Sequence, residues 1–146
     1  DIAAMARVAE RAGADAVTVA NALTGMAIEL DPIRPFLGHT TGGLTGPAVK
    51  PVILRMVWQV SQAVEIPVIA SGGVSNERDA LEYIAAGATA VQVGTANFYR
   101  PDIMPQIVRG IARFLEERGF ASVAELRGRA WPESVRKGGY RNVSTL

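Results

Sequence analysis

"ASGGVSNERDALEYIAAGATAVQVGTANFY", residues 70–99, decides the fold. It holds two apolar runs, and each breaks off in a glycine signal: Ser71-Gly72-Gly73, then Gly94-Thr95. Between them Asn76 is placed to cap a helix over about 77–86, closed by Gly87. The unit therefore reads strand, glycine turn, helix, strand, glycine turn. Near-continuous apolar strands joined by helices indicate a parallel sheet covered by helices.

The same grammar extends outward. Asp1 is a plausible N-cap for a helix to about Ala12, with Ile2, Met5, Val8 and Ala9 at apolar helical spacing and Gly13 as its stop. "ADAVTVAN", residues 14–21, is a short run with β-branched residues, which predicts a buried strand ending at Asn21. The junctions "RAGADAVTV" and "AAGATAVQV" share the pattern A-G-A-x-A-V-x-V. Residues 22–47 have many Gly, Pro and Thr and no sustained period. Connections this long are uncommon in compact domains and are usually functional or disordered. Met26, Ile28, Leu30, Phe36 and Leu37 argue for order, so an ordered loop with a small hairpin is expected.

Pro47 opens a predicted helix to about Val64, with Val49, Ile53, Met56, Val57 and Val60 on one face. Further helices are expected at Ala96–Tyr99, Ile103–Arg118 and Ser122–Arg127. Residues 1–128 read as one α/β unit and 129–146 as an irregular basic tail. Repeated αβ units suit a (β/α)8 barrel or a doubly wound sheet. A full barrel takes about 250 residues, so 146 residues supply only its later portion. A chain that opens directly on a helix start reads as cut from a longer one.

Composition narrows the chemistry. Fifteen Lys and Arg against fourteen Asp and Glu give a net charge of +1, which offers no reason to invoke nucleic acid or a membrane surface. No cysteine is present, so disulfide scaffolds and thiolate metal sites are excluded. The lone His39 cannot build a histidine metal cluster, and no apolar run approaches the roughly 18 residues of a bilayer span.

The glycine signals carry the functional expectation. Ligands of parallel α/β folds bind outside the C-terminal ends of the strands. Glycine there removes Cβ and lets backbone N–H groups approach an anion, and helix N-termini add partial positive charge. Gly72, Gly73, Gly94 and Thr95 then cradle a phosphate; the plainer alternative is that they only make tight βα turns. "TTGGLTGPAVKP", residues 40–51, is a third signal, with Thr45 as a candidate cap and Gly46 as a candidate backbone contact. Its plainer reading is a flexible turn. Asn21 ends a strand at the presumed ligand end, where an amide suits a planar ring bearing N–H and C=O groups. The alternative is a turn residue that satisfies local backbone. His39 reads as a surface residue, Trp58 and Trp131 as packing residues, and Lys50 as a solvated charge.

The order of G-M-A-I, T-G-G-L-T-G-P-A-x-K-P, G-G-V and V-Q-V-G-T-A-N closely resembles the C-terminal half of class 1 dihydroorotate dehydrogenases, specifically the catalytic subunit of the NAD-linked 1B type. The resemblance covers nearly the whole chain to about residue 127. It implies a (β/α)8 barrel with FMN at its C-terminal face, oxidising dihydroorotate to orotate in pyrimidine synthesis. By this likeness Ala20 and Gly46 contact FMN, Gly72-Gly73 and Gly94-Thr95 hold its phosphate, and Asn21 bonds the substrate ring. The family usually carries Thr or Ser where this chain has Ala22, which removes a hydroxyl from the substrate contact. The family's base, a cysteine on an upstream loop, and its flavin-contacting lysine have no counterpart here, and Lys50 is not that lysine. The likeness further implies an FAD and iron–sulfur partner subunit passing electrons to NAD, a homodimer of catalytic subunits within a heterotetramer, and a cytoplasmic setting. The flavin domain of dihydropyrimidine dehydrogenase is a related alternative. An inactive phosphate-binding remnant is an alternative of another class.

Half a barrel leaves two open sheet edges and an uncovered core. The isolated 146-residue chain is therefore expected to melt without a cooperative transition; a sharp calorimetric transition of the monomer contradicts this.

Overall fold

A computed structural model describes residues 1–133. Three parallel strands form the spine: β1 (Val17–Val19), β6 (Val68–Ser71) and β7 (Ala90–Gln92), ordered β1-β6-β7. Val17 lies opposite Val68 and Ala70 opposite Val91, so each new strand is added beside the last. The helices follow the same order. α1 (Ile2–Arg11) packs on α2 (Lys50–Ser61), α2 on α3 (Glu77–Ala85), and α3 on α5 (Ile103–Arg118). Two one-turn helices, α4 (Ala96–Tyr99) and α6 (Val123–Leu126), complete the described chain. Among the described residues the sheet is not closed on itself.

The loop after β1 is more regular than its sequence suggests. β2 (Leu23–Gly25) pairs antiparallel with β5 (Gly42–Leu44), and inside it β3 (Ile28–Leu30) pairs with β4 (Ile33–Pro35). The expected small hairpin is thus the inner of two nested ribbons. Gly42 and Gly43 lie opposite Gly25 and Thr24 in a ladder, so they are strand residues and not a flexible turn.

The core lies between the sheet and α2–α3. Ile53, Val57 and Val60 form the buried face of α2, and Val68 and Ala70 of the central strand meet it. Two expectations are corrected here. β1 and β7 are not buried throughout, because each has a strand neighbour on one side only: Thr18, Ala90 and Gln92 are exposed. On α1 the buried residue is Ala6, while Met5 and Val8 face outward, since α2 covers the other side of that helix. The third helix segment also divides. Pro51 has no N–H to give to the carbonyl of Pro47, so Lys50 donates there instead and the first turn, Pro47–Val49, is 3-10. The α-helix ends at Ser61, three residues before the expected Val64.

The repeated A-G-A junction is a backbone device. Gly13 and Gly87 both take left-handed angles, φ 92° and 117°, to turn from helix to strand. They differ in their surroundings. A Cβ at Gly13 meets nothing within 4 Å, whereas one at Gly87 falls 2.4 Å from Ser61 Oγ and 2.6 Å from the buried Trp131 ring. Trp131 is tied in place by its indole N–H donating to Ala86 O at 2.8 Å. Trp131 therefore packs as expected, and the remainder of the basic tail, residues 134–146, lies outside the described residues.

Gly13→Ala is expected to cost about 1–2 kcal/mol of backbone strain. Gly87→Ala adds an overpacking cost of about 1–3 kcal/mol. Urea titration of both variants in the natural polypeptide checks the ranking; equal losses contradict it.

Candidate functional site

All eight sequence-predicted site residues line one open cleft at the C-terminal ends of the three parallel strands. Ala20, Asn21 and Ala22 follow β1; Gly72 and Gly73 follow β6; Gly94 and Thr95 follow β7; Gly46 arrives from the nested ribbons at the start of α2. Leu23, Leu44, Val49 and Ile53 form its apolar floor and wall, and the enclosed part measures about 100 Å³. The strand order places the contributing turns side by side, which is why residues more than seventy positions apart meet.

The β6 turn is built for close backbone approach. Gly72 and Gly73 have φ 144° and 71°. A Cβ on Gly73 would lie 2.7 Å from Lys50 Cβ, 2.9 Å from Lys50 N and 3.0 Å from Gly46 O. Glycine is required there because the turn is pressed against the first residues of α2. Among the described residues, the N–H groups of Gly73, Gly94 and Thr95 donate to no protein acceptor. Gly94 differs: its Cβ position faces open space. The arrangement offers unpaired backbone donors around an open cleft, the chemistry of an anion cradle.

Asn21 is exposed, and its side-chain oxygen accepts from Ala22 N at 2.8 Å. It lines the cleft and also satisfies local backbone. Ala22 touches the ribbon: a Cβ on Gly43 would come within 2.7 Å of Ala22 Cβ. The peptide between Val19 and Ala20 is cis. Thr45 does not cap the following helix; Gly46 holds that position with φ 90° and no side-chain bond. His39 is exposed in the loop, as expected.

Lys50 is the main correction. It is not a solvated charge. Its Nζ lies 2.5 Å from Asp79 Oδ1 and 2.7 Å from Glu82 Oε2, with only 17% of the side chain accessible. Asp79 also accepts from Ser75 N at 2.9 Å, and its own N–H bonds Asn76 Oδ1, the helix cap. Tyr83 is fully buried, and its hydroxyl donates to Gly72 O at 2.7 Å, with Lys50 O further off at 3.4 Å. Asp79, Glu82 and Tyr83 occupy positions i, i+3 and i+4 of α3 and so share one face. That spacing was the available sequence signal for this cluster, together with a Lys directly after the glycine loop.

Burial pulls the Lys50 ammonium down, but bonds and charge from Asp79 and Glu82 outweigh it, and the net pKa is raised. Burial, then the same two carboxylates, raise the Tyr83 phenol as well.

Residues 1–115 match the family model described as Dihydroorotate dehydrogenase. The chain belongs to the dihydroorotate dehydrogenase family. The motif resemblance therefore holds. Among curated relatives, "Dihydroorotate dehydrogenase B (NAD(+)), catalytic subunit" of Trichlorobacter lovleyi is 57% identical over 128 residues, 88% of this chain and 42% of its own length. The protein of the same name from Pelobacter propionicus is 55% identical and that from Bacteroides fragilis 54%, with the same coverage. The chain thus spans about two fifths of the length of these family members. Among the described residues no helix is long and apolar enough to cross a membrane.

The shifts set a pH dependence. A base whose pKa is higher folded than unfolded gives stability below the unfolded value and loses it as pH rises through the folded one. A buried phenol acts in the same direction, since the unfolded chain ionises first. Stability is expected to hold up to about pH 10, near the unshifted values of 10.0 and 10.5, and to fall above it. Lys50→Met, which leaves Asp79 without its cation and Glu82 with only the exposed Arg78, is expected to lose about 2–4 kcal/mol at pH 7 and to flatten this alkaline fall. Denaturant titration of the natural polypeptide at pH 7 and above pH 10 measures both.

Proposed function

We propose that this chain is the C-terminal part of the (β/α)8 barrel of an FMN-dependent dihydroorotate dehydrogenase catalytic subunit, with residues 1–128 as the barrel portion. The observation that carries the reading is the convergence of three glycine-bearing segments and Asn21 on one cleft, in a chain of this family. The open-sheet order β1-β6-β7, with each helix packed on the next, supports a barrel sector over a doubly wound sheet, in which the strand order reverses.

The cradle fits the phosphate of FMN. Gly72-Gly73 and Gly94-Thr95 present unpaired N–H donors to it, while Ala20 and Gly46, both small, let the isoalloxazine ring lie against backbone. When bound, FMN supplies the two-electron redox chemistry that oxidises dihydroorotate to orotate in de novo pyrimidine biosynthesis. The residues of this chain bind and orient. Asn21 offers its amide N–H to a carbonyl of the pyrimidine ring, and Ala22 leaves space beside it. The base that removes the ring proton is not among these residues, since the chain has no cysteine, so this portion alone is expected to be inactive. The names of the relatives specify NAD(+) and a catalytic subunit. They support NAD as the electron acceptor and a separate partner subunit; the motif resemblance extends the proposal to an FAD and iron–sulfur partner in a cytoplasmic heterotetramer built on a homodimer of catalytic subunits. They also favour this reading over dihydropyrimidine dehydrogenase.

The natural polypeptide is expected to carry FMN that dihydroorotate bleaches without oxygen. Gly94→Asp tests the cradle, because its side chain enters open space and places a carboxylate where the phosphate would lie. Flavin content is expected to fall at least tenfold with the melting temperature nearly unchanged. Full flavin occupancy in that variant overturns the assignment of Gly94.

A further inference from the structure

We propose that Tyr83 is a positioning residue: its hydroxyl locks the Gly72–Gly73 peptide plane so that the Gly73 N–H is held toward the cleft. The inference rests on the anion cradle proposed above.

A peptide unit between two glycines is easy to rotate. Neither flanking residue has a Cβ to bar the alternative orientation, and both already occupy the left-handed half of the map at φ 144° and 71°. The Gly72 carbonyl and the Gly73 N–H belong to the same planar unit. The Gly72–Gly73 bond is trans, so these two groups point in opposite directions. Fixing one fixes the other. The Gly72 carbonyl accepts from Tyr83 Oη at 2.7 Å, a short neutral bond from a fully buried side chain. The carbonyl is thereby turned toward α3, and the N–H, which has no acceptor among the described residues, is turned away from it.

The lock is itself held. Tyr83 sits on the α3 face that carries Asp79 and Glu82, and both grip Lys50 at the start of α2. Lys50 backbone in turn lies under Gly73. The helix that carries the ring is therefore pinned to the start of α2 by a part-buried ion pair. A flipped peptide would leave the Tyr83 hydroxyl only the longer 3.4 Å contact with Lys50 O and aim a carbonyl, an acceptor, at an anion.

The test compares FMN with riboflavin, which is the same ring without the phosphate. Flavin fluorescence quenching on the apo form of the natural polypeptide gives both dissociation constants. Tyr83→Phe is expected to weaken FMN about tenfold, the loss of one oriented donor to a charged group, and to leave riboflavin within about twofold. A merely structural role weakens both flavins alike. Equal loss for the two, or no loss for either, overturns the role of Tyr83 while the cradle stands. A wild-type protein that does not prefer FMN to riboflavin overturns the cradle and the inference together. Should the Phe variant not fold, p-fluorophenylalanine at position 83 fills the hydroxyl's place without donating and makes the same comparison.

Discussion

The ion pair between Lys50 and Asp79 is the constraint on which the cleft depends. Charges with 17% and 12% of their side chains accessible are costly unless they meet. They can meet only if the first turn of α2 and the first turn of α3 are brought together. The chain between those turns runs through the rest of α2, β6 and its glycine turn, so forming the pair folds that turn between two helices. Gly73 tolerates the squeeze because it has no side chain. Asp79 then ties down Ser75 and the Asn76 cap, which starts α3 in the right place.

From that point the sheet distributes the rest. β6 is central and holds the tightest turn, and its neighbours each contribute one flanking segment. The nested ribbons deliver Gly46 from the side, and Gly46 O lies 3.0 Å from where a Gly73 Cβ would be. Sheet, ribbon and helix start are thus in contact at a single peptide. The family match covers this whole assembly, residues 1–115, and leaves only α6, the end of α5 and the tail outside it.

Much of this was legible in residue order. Glycine after an apolar run marks a strand end, and two such marks, Gly72-Gly73 and Gly94, fall on the cleft. The helices were legible from caps: Asp1 and Asn76 both accept the N–H three residues on, as their spacing implied. Beyond one small hairpin, the regular structure in residues 22–45 was not legible, because strands of three residues are too short to show alternation. Lys50 was misread for a different reason. A lysine in a first helical turn is usually solvated, and only the tertiary approach of α3 reveals its two carboxylate partners. Exposure of Thr18, Ala90 and Gln92 likewise depends on which strands lie beside them, which no local pattern records.

The cleft has one further consequence, in time. Its walls come from residues 20–22, 46, 72–73 and 94–95, so no single αβ unit owns it. Contacts of such wide separation in sequence close late, after the local helices and turns have formed. A ligand that recognises all four segments therefore finds no complete binding surface on a half-finished chain. Occupancy becomes a certificate of completed assembly, since the cleft is whole only once β7 is in place.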